Sequence, residues 1–439
     1  MMFAGVIPWD GLPGWMYHAQ ERPPSHDFNP NLPGISWVDL VFPFFLFAMG
    51  AAIPLAYKEG EKSSWYSPTL LAFRRGGVLI AFAIFNQHAR PYILKESPTS
   101  ATWLMGLAGF LIPFAILVRL PTSTPRFSVI AIRVLGLAGA LAFLALAKYP
   151  DGSGFKMDRA DPIILVLAAA STFGTILWRA TKDRVDLRLG VLALIVALRI
   201  GALTPESIAA KLWNWSTPFG LFQVSFLGYL AIAIPGTVVG DLLCRASEAV
   251  ASKDKKPNEL TLALASFAIV PITLVVFFGR TVSPLWIAVP IGICVSLVHK
   301  SSMACVTNRK TIDWGAFWLT FGILLGPFQG GIKKDPPTLS YGFVTAGLAC
   351  FLLVSLRILE QNRPRSVALN FSAATGQNPL LAYQALTNLV APLWALCVVP
   401  WLVDLTPGTA LGVVRAILET LCLGAVVGLF KKYRIVMRA

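Results

Sequence analysis

Charge is what this 439-residue chain has least of. Asp, Glu, Lys and Arg make up 13% of it, against roughly 25% in ordinary water-soluble proteins. There are only four histidines, and the six cysteines fall in no C-x-x-C pair. The first scarcity excludes a soluble enzyme or a disordered scaffold, and the cysteine spacing excludes a metal or disulfide framework. Cys244, Cys294, Cys305, Cys350, Cys397 and Cys422 read as small buried apolar residues. No G-x-S-x-G, H-E-x-x-H or P-loop motif occurs, so serine-esterase, zinc-protease and ATPase chemistry have no support. No basic segment followed by a small-residue cleavage site marks a signal peptide in MMFAGVI.

What the chain has instead is apolar length: 56% of its residues are hydrophobic and its mean hydropathy is +0.66. A bilayer-spanning helix needs about 20 mostly apolar residues. Runs near that length lie at 37–57, 76–93, 101–118, 129–148, 161–180, 187–203, 218–243, 260–279, 283–299, 314–328, 340–358, 378–403 and 407–430. Some are short enough to merge, so the expected class is an all-α, polytopic integral membrane protein with about 11–13 transmembrane helices. A net charge of +15 would suggest a nucleic-acid partner in a soluble chain. Here its distribution is the informative part.

Basic residues gather on the cytoplasmic side of membrane proteins. With the loop after 37–57 inside, 25 of the 37 basic residues fall inside, 11 outside and Arg415 within a span. Among the inside groups are Lys58, Lys62, Arg74 and Arg75, then Arg119, Arg126 and Arg133, then Lys253, Lys255 and Lys256, and finally Lys431 to Arg438. The expected organisation is one membrane domain over 1–439. It has a truncated first span at 1–8, an extracytoplasmic loop at 9–36, a helical bundle at 37–430 and a cytoplasmic tail at 431–439. The loop, with five prolines and no helical period, reads as an ordered or semi-ordered cap.

Histidine is the natural proton acceptor near neutral pH, and His18 and His26 lie in this loop before Asp39. Ser36-Trp37-Val38-Asp39 also fits an S-x-x-D capping box at the start of a span. The two readings of Asp39, helix cap and partner that orients a histidine ring, are compatible. Pro43 is expected to kink the same helix.

In GPFQGGIKKDPPTLSYGF, residues 326–343, Lys333 and Lys334 lie outside against the basic bias. Either this is chance, or they hold an anionic group or fold back into the protein. Asn378-Pro379 reads as a helix start whose amides could hold phosphate or an oxyanion. Arg415 and Glu419, four apart, form an expected intrahelical pair. Asn86-Gln87-His88 and Arg90 end a span on the outer side.

The stretch GISWVDLVFPFFLFAMGAAIP, preceded by WMYHAQ and HDFNP, resembles the bacterial relatives of heparan-α-glucosaminide N-acetyltransferase, a family of transmembrane acetyltransferases. GGIKKDPPTLSYGFVTAGLA and GQNPLLAY resemble two further blocks, so the similarity runs from about residue 15 to 384.

The resemblance implies an enzyme that binds cytosolic acetyl-CoA and passes the acetyl group across the membrane to an amino sugar or related saccharide. It also implies a catalytic outer-loop histidine shortly before the aspartate, which is Asp39 here. Of the two candidates, His26, thirteen residues before Asp39, is preferred to His18, twenty-one before. The donor is expected at Asn378, Lys333, Lys334 and Arg75, with no metal. Its setting would be the inner, cytoplasmic membrane of a bacterium, with the C-terminus cytoplasmic. The partners are the lipid bilayer, acetyl-CoA and a saccharide acceptor, with no nucleic acid and with a homo-oligomer left open. The span count and the polar residues near interrupted helices also fit a secondary transporter or flippase for a sugar or cell-wall precursor.

Overall fold

The computed structural model describes residues 2–57, 66–248, 259–279, 284–301, 305–398 and 408–438. The long helices are α1 (Trp37–Tyr57), α2 (Tyr66–His88), α3 (Ser100–Leu117), α4 (Arg126–Leu146), α5 (Pro162–Ala180), α6 (Val185–Gly201), α7 (Leu230–Glu248), α8 (Glu259–Gly279), α9 (Pro284–Lys300), α10 (Val306–Leu325), α11 (Leu339–Asn362), α12 (Pro379–Ala385, continued by π-helical turns to Val398) and α13 (Thr409–Lys432). Among the described residues, ten helices are long and apolar enough to cross a membrane. The protein is an all-α, multi-pass membrane protein. The other three of the thirteen expected stretches fall short, because α6 and α9 have only 17 residues each and α10 carries Arg309, Lys310 and Asp313.

Several boundaries differ from expectation for local reasons. α2 ends at His88 rather than at 93 because Pro91 follows, and the residue before a proline avoids the helical region. Residues 218–229, expected as helix, form two 3-10 turns, with Phe219 at φ +65°. α10 starts eight residues before 314, since its polar first turns bury Asn308 and Thr311 against neighbours. The expected tail at 431–439 is not free. Lys431 and Lys432 still belong to α13, and β2 (Val436–Met437) pairs antiparallel with β1 (Val118–Arg119). Among the basic groups, Lys58, Lys62, Lys253, Lys255 and Lys256 lie outside the described residues. The cysteines are free, but only Cys294 and Cys350 are buried, while Cys397 and Cys422 are exposed on helix surfaces. Apolar surroundings in lipid do not require burial inside the protein.

The helices whose packing forms the site are α1 and α7. Their backbones touch: a Cβ added at Gly50 would meet the Ala233 carbonyl at 2.2 Å, and one added at Gly236 the Phe47 carbonyl at 2.3 Å. Small residues let membrane helices approach this closely. The contact sets Phe42 of α1 edge-on against Tyr229, ring centroids 5.8 Å apart, at the entry to α7.

Residues 9–36 form the expected cap, largely without helix. Arg22 donates to the Phe278 carbonyl and lies over that ring, Tyr17 donates to the Pro8 carbonyl at 2.9 Å, and Gly34 donates to Ile332 at 2.8 Å. The loop 326–338 folds back onto this cap, helped by left-handed Gly330 and Gly331.

Candidate functional site

Asp39 occupies the third position of α1, fully buried, and each of its oxygens has a separate role. Oδ2 accepts the Ser36 amide at 2.9 Å, the Ser36 hydroxyl at 3.2 Å and the Ala19 amide at 3.1 Å. This is the carboxylate half of the expected capping box. Oδ1 has no hydrogen bond, yet lies 3.4 Å from His18 Nδ1 and 3.7 Å from Lys334 Nζ. Capping and histidine pairing are thus served by opposite oxygens of one carboxylate. The α1 backbone is held there by the buried Tyr341 hydroxyl, which donates to the Asp39 carbonyl at 2.7 Å.

His18 sits between two carboxylates. Its Nδ1 accepts the Gln20 amide at 3.1 Å, so in the neutral ring Nε2 carries the proton and donates to Asp335 Oδ2 at 3.2 Å. A second proton, taken up at Nδ1, would face Asp39 Oδ1, which has no hydrogen bond of its own. Asp335 is tied in turn to the cap, its amide donating to Gln20 Oε1 at 2.9 Å. Burial raises the Asp335 carboxyl pKa, but the His18 hydrogen bond and the nearby Lys334 and His18 charges outweigh it and hold the group below its ordinary range.

The preferred histidine does not reach this site. His26 pairs with Asp10 at 3.2 Å and is enclosed by Trp9 and Tyr17, its side chain 4% exposed, in a left-handed backbone position. The Pro-rich turn at 22–26 directs it toward the start of the loop instead. His18, not His26, meets Asp39. His88 is also committed: one ring nitrogen meets the Ile84 carbonyl, the other accepts the Lys156 amide, and Phe155 stacks on the ring.

The four residues expected to bind the donor fall at opposite ends of the molecule. Lys334 is paired with Asp39 and Asp335, the latter at 3.9 Å, and Lys333 lies on the same loop. Both belong to the His18 end. Asn378 does not cap its helix with its side chain. Fully buried, it accepts the Met437 amide at 3.1 Å and donates to the Ile435 carbonyl, so it is a clamp on β2. Arg75 fits the expectation best, pointing into a cavity next to the Tyr57 hydroxyl, 3.4 Å away. α1 separates the two ends, with Asp39 in its first turn and Tyr57 at its last residue, about 30 Å away along a 21-residue helix.

Two cavities have lining residues in contact with each other, Phe42 of one and Tyr229 of the other. The arginine-side cavity, about 500 Å³, is walled by α1, α2, α5 and the start of α12, and Arg75, Arg119 and Arg438 line it. A smaller cavity of about 270 Å³ adjoins it between Arg74, Arg75, Arg119, Arg133 and Arg438. Among the described residues, no carboxylate lines either one. Burial, together with the four neighbouring guanidinium groups, lowers the Arg119 pKa below the ordinary arginine value. Tyr383 lines the same cavity, its hydroxyl donating to buried Asp161 at 2.7 Å and accepting from Arg90 at 3.0 Å, with Asn86 on the same carboxylate.

The loop-side cavity, about 440 Å³, is bordered by Pro336, Pro337 and Thr338, the residues that follow Asp335, and by Tyr229. Phe42 lines the first cavity and Tyr229 the second, so their edge-to-face contact stands between the two.

Arg119, Arg133, Arg438, Asp335 and Gln20 were not singled out from sequence as site residues. The arginines belong to the inside groups, and Asp335 adjoins Lys334. Their convergence has no local signal. The other expected pair, Arg415 and Glu419, is present at 3.7 Å in α13. No curated protein matches the chain. A family model described as a domain of unknown function (DUF5009) matches residues 1–243, more than half of the chain and the part that carries His18, Asp39, Arg75, Arg119 and Tyr229; the chain belongs to this family.

Proposed function

We propose that the protein is a transmembrane acetyltransferase, taking its acetyl group from cytosolic acetyl-CoA and passing it to an amine or hydroxyl of a saccharide on the opposite face. One observation carries this reading: arginines with no carboxylate among the described lining residues border one cavity, the turn that follows Asp335, a carboxylate partner of His18, borders a second, and the walls of the two meet at the Phe42–Tyr229 contact. Phosphates bind guanidinium groups through paired charge-assisted hydrogen bonds. Arg75, Arg119 and Arg438 would take those of CoA, and the apolar wall formed by Leu79, Ile164 and Leu167 suits its thioester arm. On this reading the arginine face and the C-terminus are cytoplasmic, in a bacterial inner membrane.

In the transfer, the acceptor's nitrogen or oxygen bonds to the acetyl carbonyl carbon, the carbon–sulfur bond breaks, and the electron pair leaves with the CoA thiolate. The acceptor's proton passes to His18 Nδ1, which gives up its hydrogen bond from the Gln20 amide, while Nε2 keeps its own proton toward Asp335. The resulting imidazolium is stabilised by Asp335 at one nitrogen and by Asp39 Oδ1 at the other. Lys334 and the Ser36 and Ala19 amides hold the Asp39 carboxyl group in position for that purpose.

The test has two parts. Acetyl-CoA at a hundredfold excess over its dissociation constant should stabilise detergent-purified protein by about 2.7 kcal/mol, and Arg75→Ala with Arg119→Ala should abolish the shift. Proteoliposomes loaded with labelled acetyl-CoA should then label an outside saccharide. No shift and no labelling would overturn the reading. The two cavities that meet at Phe42–Tyr229 also fit a transporter or flippase gated there, which predicts gradient-driven solute flux without acetyl-CoA.

A further inference from the structure

Arg199 stands on the loop side, against the distribution of most basic residues, in the last turn of α6. A helix C-terminus favours a cation there but does not explain its surroundings. The guanidinium lies over buried Trp213, 5.5 Å from the ring centroid, and lines the loop-side cavity. Among the described residues, no Asp or Glu lines that cavity and no hydrogen bond or ion pair uses the Arg199 donors. A half-buried cation with an aromatic floor and no counter-charge is an incomplete arrangement. Beside it in the cavity wall stand the polar side chains of Asn214, Gln223 and Ser225, and across from it the Pro336–Thr338 turn next to Asp335.

We propose that the loop-side cavity binds a hydroxyl-rich ligand carrying a carboxylate or phosphate, that is, a sugar acid or sugar phosphate. Arg199 takes the anion as a planar fork, while Asn214, Gln223 and Ser225 meet hydroxyl groups. The cavity, about 440 Å³, is in the size range of small-ligand sites. A free amino sugar is disfavoured, because its ammonium would face the guanidinium. Resting on the acetyl-transfer reading, this ligand is the acceptor: anchored at Arg199, it extends toward the turn that carries Asp335, where His18 is held.

The experiment is isothermal titration of the full chain in detergent with glucuronate, glucose 6-phosphate and glucose. At least one of the two anions should bind about tenfold or more tightly than glucose, the value of one charge-assisted contact. The tighter of them identifies the anion. Arg199→Gln should erase the preference, and Arg199→Lys should restore part of it. An acetyl-CoA melting shift retained in Arg199→Gln shows that the variant is folded. Equal binding of all three sugars, binding of none, or a preference that survives in Arg199→Gln overturns the proposal. Anion binding by a wild-type protein that shows no acetyl-CoA shift overturns the acetyl-transfer reading and leaves the anion site standing. An acetyl-CoA shift without anion binding does the reverse.

Discussion

Replacing Asp39 with asparagine tests the site most directly, because the change keeps shape and removes charge. The single carbonyl oxygen of asparagine would be claimed by the Ala19 and Ser36 amides, 3.1 and 2.9 Å away. Its NH2 would then point at Lys334 and His18. Each amide bond drops from the charged class, about 1.5–3 kcal/mol, to the neutral class, about 0.5–1.5, a loss of about 1 kcal/mol apiece. Removing the partner of Lys334, which is itself 25% exposed, adds about 1 kcal/mol after solvent screening. The total, about 2–4 kcal/mol, is a large part of a typical stability of 5–15. Ser36→Ala loses only one hydroxyl donor to the same oxygen, at 3.2 Å a long bond of the charged class, about 1.5 kcal/mol. Thermal unfolding in detergent, with the three proteins side by side, should rank wild type above Ser36→Ala and Ser36→Ala above Asp39→Asn. An Asp39→Asn protein as stable as wild type would refute the assignment of a buried, charged Asp39.

Three further outcomes follow from the geometry. His18→Ala should remove acetyl transfer to a saccharide while His26→Ala retains it, since only His18 lies between Asp39 and Asp335; the reverse result would return the catalytic role to His26. Asp335 titrates below its ordinary range in the folded protein, so its contribution to stability is full above the unfolded value of about 3.9 and is lost as pH falls through the lower folded value. Asp335→Asn should therefore flatten the melting temperature between about pH 5 and pH 3 relative to wild type. Gly236→Ala would place a methyl group 2.3 Å from the Phe47 carbonyl, pushing α1 from α7 at a cost of about 1–3 kcal/mol; an unchanged melting temperature would contradict that contact.

Much of the fold was legible because membrane spans are written locally. A backbone in lipid must satisfy its own hydrogen bonds, so each span announces itself as about 20 apolar residues, and the thirteen expected stretches correspond to thirteen helices. The capping role of Asp39 was equally local, contained within four residues, and so was the pairing of Arg415 with Glu419. The errors came where locality ends. His26 is nearer to Asp39 in sequence, yet the turn at 22–26 carries it to Asp10. Asn378 looked like a cap, but its amide is committed to β2, about sixty residues away.

Sequence alone determined that this is an all-α protein built for a bilayer, where its helices run, and that Asp39 begins one of them with a carboxylate in place. Only tertiary structure decided which histidine serves that carboxylate, that Lys334 returns to it and Asp335 to that histidine from some three hundred residues away, and that five arginines from four separate segments share one mouth. The physical reason is range. Hydropathy and capping act within a few turns of helix, whereas the site is assembled by close packing of α1 on α7 and by a loop folded back onto the cap, contacts that no local periodicity records.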